Sequence, residues 1–246
     1  MKILDIPISE KNYKDILSDF SGLSKGYVCV TSVHGLIEAY ENTNVKEAFH
    51  NSTYNVPDGM PIVLFAKFIK KIKPFSRVYG PEFLINFLNY INLRKSRLYI
   101  VGSNEKNISR FEKVLKNTHN NISIVGKNCE IIDINNDDQV KKIYDGIPKN
   151  KVDYVLVFLS TPKQDVLMHK FYLQENNLKC IGFGAAIDFY IGDLKSPPLI
   201  VQNLSLEWLY RLIQEPKRLF RRYLKIVPKF LYLVLIDTFF IKSKES

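Results

Sequence analysis

The sequence predicts an α/β fold: a mostly parallel, Rossmann-like sheet flanked by helices, with a basic amphipathic helical appendage at the C-terminus. Three observations carry this expectation. Short apolar runs rich in Val, Ile and Tyr alternate with amphipathic stretches, the pattern of βα units around a buried parallel sheet. The 246 residues are 46% hydrophobic and include 16 Phe and 14 Tyr, enough for the core of one large domain, alone or with an appendage. From Glu207 to Lys229, seven basic side chains (Arg211, Lys217, Arg218, Arg221, Arg222, Lys225, Lys229) are interleaved with Leu, Phe, Tyr and Ile at roughly helical spacing.

Along the chain, Tyr27–Ser32 is the first expected strand, and Val33–Tyr40, extending toward His50, the first helix. Helices are expected over Met60–Lys70 and Pro81–Asn92, then a strand over Arg97–Val101. A helix over Lys106–Asn117 and a strand over Ile122–Val125 follow. Asn128–Val140, with its Asn135-Asn136-Asp137-Asp138 run, reads as a solvated loop leading to a helix over Asp138–Ile147. The strand Tyr154–Leu159, the helix Lys163–Asn176 and the strand Lys179–Phe183 complete the sheet; each strand ends near Ser, Thr or Gly. Pro197-Pro198 interrupts the chain before helices over Asn203–Arg222 and Pro228–Ile241. Residues 1–198 are therefore taken as the core and 199–246 as the appendage, with no repeat of fixed period.

A formal charge of +10 and a pI near 9.3 favour polyanionic partners: lipid headgroups, lipid diphosphates or nucleic acid. The odd count of three cysteines, without metal-like spacing, suits reduced thiols in a cytosolic setting. The N-terminus lacks the long apolar core of a secretory signal. Phe230–Ile241 contains Asp237 and falls short of the roughly 20 residues a spanning helix needs, so the chain is expected to lie on a membrane without crossing it. The four histidines lack metal spacing, and there is no Walker loop, Gly-x-Ser-x-Gly elbow or Asp-x-Asp motif.

Ligands of open α/β sheets bind beyond the carboxyl ends of the strands, where four stretches fall. Thr31-Ser32-Val33-His34-Gly35 can hold a diphosphate on hydroxyls and helix N–H groups, or simply cap a helix. Pro57-Asp58-Gly59 is an ordinary tight turn or a rigid mount for a general base. Ser160 to Asp165 places Lys163 and Gln164 in the first turn of a helix, able to meet an anion or sugar, although a Ser/Thr cap followed by Pro162 explains the same letters. Gly182 to Gly192, with Gly184 and Asp188, is a small-residue turn that a phosphate or base could approach closely.

Taken together and in order, VCVTSVHGLIEAY, NVPDGMPIVLFAK, SRVYGPEFL, VLVFLSTPKQD, IGFGAAIDFYIGDLKSPP and LEWLYRLIQEPKRLFRRYL resemble the WecG/TagA/CpsF glycosyltransferases (glycosyltransferase family 26) over about residues 25 to 232. The resemblance implies transfer, with inversion, of N-acetylmannosamine or a related hexose from a UDP-sugar. The acceptor would be a polyprenyl-diphosphate-linked sugar of teichoic acid, capsule or exopolysaccharide synthesis. No cofactor or metal is implied. Asp58 matches the family's catalytic base, Thr31 a residue near the donor, Arg77 a contact to the diphosphate or acceptor, and Gln164 a pocket glutamine. Lys163, Gly184 and Asp188 fall in matched motifs and are taken as substrate-binding; Arg211, Arg218, Arg221 and Arg222 match arginines that cover the site and meet the membrane. Asp165 stands where the family usually has Glu, Ser160 replaces a common Gly, Ser196-Pro197-Pro198 replaces Arg-Ala-Pro, and an Asn common after the threonine has no counterpart. These expectations place the protein peripherally on the inner face of a bacterial plasma membrane, with a homo-oligomer allowed for and no nucleic acid bound. The alternative is a basic nucleic-acid-binding module built on the Arg/Lys-rich tail.

Overall fold

The structure, a computed structural model, describes residues 1–68, 78–175, 177–198, 200–201 and 206–242. An antiparallel ribbon, β1 (Lys2–Ile3) and β2 (Ile6–Pro7), opens the chain. The main sheet comprises β3 (Gly26–Thr31), β4 (Tyr54–Pro57), β5 (Arg97–Gly102), β6 (Ser123–Asn128), β7 (Tyr154–Phe158) and β8 (Lys179–Gly182). All pairs are parallel, in the order β4-β3-β8-β7-β5-β6. The helices are α1 (Tyr13–Gly22), α2 (Val33–Glu41), α3 (Thr43–His50), α4 (Met60–Phe68), α5 (Gly80–Asn92) and α6 (Glu105–Thr118). They continue as α7 (Asp137–Asp145), α8 (Lys163–Tyr172), α9 (Ala186–Tyr190), α10 (Glu207–Gln214) and α11 (Pro216–Lys242).

Alternation along the strands builds a core on each face of the sheet. Val28, Val30, Leu98, Ile100, Leu156 and Ile181 pack with α1, α5, α6 and α9. Tyr27, Cys29, Val101, Val155, Val157 and Cys180 pack with α2, α3, α7 and α8. Both faces are covered, which is why these strands read as continuous apolar runs. The second half of α11 joins the latter face: Ile226, Phe230, Leu233 and Val234 are buried in the same cluster as Leu36 and Ile37, and Lys229 pairs with Glu41. Each such apolar side chain contributes about 1.5–3 kcal/mol.

The five expected strands are present, with ends shifted by up to three residues. β4 escaped the sequence reading because four residues containing Asn and Pro carry no periodicity; the ladder along β3, where Val30 stands opposite Val56, imposes it. The helix expected to run on from Val33 toward His50 instead breaks at Asn42, whose side chain accepts from the N–H groups of Asn44 and Val45 to cap α3. Asn12 caps the unexpected α1 in the same way. The tail also differs from expectation, since the break falls at Glu215 and α11 passes straight through Pro228. Pro216 sits at a helix start, where no N–H is needed; Pro228 forfeits a bond, but buried Ile226 and Phe230 flank it and hold the helix against the core.

Candidate active site

Two cavities, of about 470 and 270 Å³, open at the carboxyl end of the sheet and share Ser32, Asp58, Phe189, Arg211 and Arg222 as common wall. The smaller is polar, framed by Ser103 after β5, Ser160, Thr161 and Gln164 after β7, and Gly184 to Asp188 after β8. The larger is mostly apolar, enclosed by Met60 and Tyr79 on the core side and by Trp208, Tyr223, Ile226 and Phe230 of α10 and α11.

Asp58 follows β4 and is held by backbone contacts. Its N–H donates to the Thr31 carbonyl (2.8 Å), and the Val78 N–H donates to the Pro57 carbonyl (3.1 Å). The Gly80 N–H, at the start of α5, donates to Asp58 Oδ1 (3.3 Å), so a helix N-terminus faces the carboxylate. Gly59 supplies the positive φ (98°) that the turn needs. The turn reading of Pro-Asp-Gly is thus correct, and the same turn carries a carboxylate to the wall between the two cavities.

Thr31 is fully buried, its Oγ1 donating to Asn55 Oδ1 (3.4 Å), and it lines neither cavity; Ser32 lines both while its Oγ accepts from the Gly35 N–H as the cap of α2. Gln164 lies in a cradle of glycines. Its Oε1 accepts from the Gly184 N–H (2.9 Å), and a Cβ on Gly182 would stand 2.8 Å from its carboxamide carbon. Asp188 accepts from Asn107 Nδ2 (3.1 Å); burial first, then Asp193 and Glu215, raise its carboxyl above the usual range. Lys163 is exposed and Arg221 is exposed, and neither lines a cavity. Arg211 lies over the Phe189 ring (5.7 Å), with its Nε buried, making no hydrogen bond, and 3.6 Å from Glu215 Oε2. Arg222 stands in both cavity walls. Arg77 and the Arg218 side chain lie outside the described residues.

Several lining residues were not singled out in the sequence. Burial pushes the Tyr79 phenol up to about 12; Ser196, Asp58, Arg211 and Glu207 surround it, and its ring stands edge-on to Phe189. Burial, reinforced by Arg222, lowers His34 to about 4, so its ring is neutral, with Nε2 at 3.1 Å from Glu38. Trp208 packs edge-on against Tyr223, and the Gln214 carboxamide clamps the Lys195 backbone through bonds of 3.0 and 3.1 Å. Tyr79 and His34 do fall inside two of the family-like motifs. Their meeting with α10 and α11 has no local signal.

Among the described residues no three His, Cys, Asp or Glu side chains gather as metal ligands, and no helix is long and apolar enough to cross a membrane. A family model described as the glycosyl transferase WecG/TagA/CpsF family matches residues 1–244. The chain is also similar to the N-acetylglucosaminyldiphosphoundecaprenol N-acetyl-beta-D-mannosaminyltransferase of Bacillus spizizenii, 28% identical over 213 residues that cover 86% of this chain and 80% of that protein.

Proposed function

The chain belongs to the WecG/TagA/CpsF glycosyltransferase family, and from that premise we propose that it transfers N-acetylmannosamine, or a related hexose, from a UDP-sugar to a polyprenyl-diphosphate-linked sugar in bacterial surface-polymer synthesis. The observation that carries this reading is the position of Asp58 in the wall common to a polar and an apolar cavity. The polar cavity suits the nucleotide sugar, and the apolar one suits the lipid-borne acceptor. Asp58 then takes the proton of the acceptor hydroxyl as that oxygen attacks the anomeric carbon and the bond to the UDP oxygen breaks. Attack from the face opposite the leaving group inverts the centre, in keeping with the β-mannosaminide in the relative's name.

The departing diphosphate gains charge and needs donors already in place. Arg211 and Arg222 stand where they can supply them: both line the polar cavity, and Arg211 Nε is buried without a hydrogen bond, 3.6 Å from Glu215. Guanidinium groups therefore do the work that a divalent cation does elsewhere, and the family resemblance adds Arg77 as a contact to the diphosphate or acceptor. Residues 199–246 act as lid and anchor. Trp208 (46% exposed), Ile213 (70%), Leu224 (61%) and Leu231 (56%) project from α10 and α11 among basic side chains. Such a surface suits an anionic leaflet, to which each Lys or Arg adds about 1 kcal/mol. The enzyme would work peripherally on the cytoplasmic face, where both substrates meet.

The test is a panel of UDP-sugars offered with a lipid-diphosphate-linked N-acetylglucosamine acceptor, with and without EDTA. Transfer from UDP-N-acetylmannosamine or a related hexose, equal in both arms, is the expected result. Transfer that EDTA abolishes would overturn the metal-free reading, and absence of transfer from every UDP-sugar would overturn the donor class.

A further inference from the structure

The polar cavity rests on a buried acid that the reaction above does not use. Asp165, in the first turn of α8, is completely buried, and neither carboxyl oxygen has a hydrogen-bond partner. The N–H groups that could hold a carboxylate there are engaged: Gln164 donates to the Ser160 carbonyl, and Asp165 and Val166 donate to the Pro162 carbonyl. The Cys29 thiol and Thr161 hydroxyl are its polar neighbours; with its own N–H they favour the charged form, and burial outweighs all three. Tyr27 also faces it from β3, but Tyr27 donates to the Ala48 carbonyl and its oxygen meets His169 Nδ1 at 3.1 Å. His169, with Glu47 beside it, is held below its usual pKa by burial and brings Asp165 no positive charge. Among the described residues no Lys or Arg stands beside Asp165.

A carboxylate with no counter-ion and no well-formed hydrogen bond is costly inside a protein; the neutral acid is tolerated. Burial accordingly raises Asp165 to about 7. Directly above it runs the turn whose Ser160, Thr161 and Gln164 line the polar cavity, with Gln164 Nε2 reaching Thr161 Oγ1 at 3.5 Å. We infer that Asp165 is a positioning residue whose neutral form sets the Ser160–Gln164 wall for the nucleotide diphosphate, and whose ionisation loosens that wall and weakens nucleotide binding. This rests on the donor reading given above.

The experiment measures UDP affinity by calorimetry from pH 6 to 9 for the full chain and for Asp165→Asn, whose amide imitates the neutral acid. Titration of UDP itself is common to both proteins and cancels in the comparison. In the wild type the dissociation constant should rise about tenfold more than in the variant between pH 7 and 8.5, since one proton is lost per site above the carboxyl's pKa. Parallel curves overturn the inference while leaving the donor reading intact, because a role in packing alone shifts both ends equally. No UDP binding at any pH overturns the donor reading and this inference with it. If Asp165→Asn does not fold, the wild-type carboxyl is followed directly by carbon-13 NMR. Titration near 7 supports the inference, and titration below about 5 overturns it.

Discussion

His34 illustrates how one side chain reports on the closure of the site. Its ring is pressed between Glu38 on its own helix and Arg222 on α11, and burial with that guanidinium lowers it to about 4 from an ordinary 6.5. The sign follows directly. A depressed histidine contributes stability that is present in full above its unfolded value and is lost as pH falls from 6.5 toward 4. Between pH 7 and 4.5 the wild type should lose about 2–3 kcal/mol through this group, a loss that His34→Gln should escape. Urea denaturation of both proteins at the two pH values checks this. At this scale the sequence was half legible. Pro-Asp-Gly announced a turn and Ser32 a cap, and both are present. The environment of His34 was not legible, because burial creates it together with Arg222, 188 positions later.

The element that decides the architecture of the site is α11. Its apolar stripe of Ile226, Phe230, Leu233 and Val234 lies on the core beside α2, while Leu224, Leu231 and Leu235 remain exposed. Phe230 is both core and cavity wall, so Phe230→Ala should cost about 3–4 kcal/mol and open the apolar cavity. Thermal unfolding measures the first effect and loss of transfer to the lipid acceptor the second. Proline is favoured at a helix start and costly inside one, and the sequence reading placed Pro228 at the start of the last helix. Tertiary packing outweighs that local penalty here, whereas Pro216, at a position with no bond to lose, begins the helix.

For the molecule as a whole, the alternation of apolar runs and amphipathic stretches was sufficient to identify the parallel sheet, because burial on both faces writes itself into the inner strands β3, β5, β7 and β8. Strand β4 and the return of the tail over the carboxyl end of the sheet were not legible, since both depend on contacts distant in sequence. The formal charge of +10, joined to the exposed apolar side chains of α10 and α11, gives the proposed membrane role a measurable form. Vesicles containing anionic lipid should sediment the full chain at low salt and release most of it at high salt. A chain ending after Pro198 should not sediment, and its transfer activity should be largely lost; undiminished binding or turnover would remove the lid-and-anchor role.

The reaction centres on Asp58, whose backbone N–H donates to the Thr31 carbonyl and whose carboxylate, between the two cavities, accepts from the Gly80 N–H. The decisive measurement is single-turnover sugar transfer by Asp58→Asn, with UDP affinity measured on the same preparation. A fall of about 10²–10⁴-fold in the rate, with the UDP dissociation constant and the unfolding temperature nearly unchanged, is the predicted result. A variant that transfers sugar at close to the wild-type rate would contradict it.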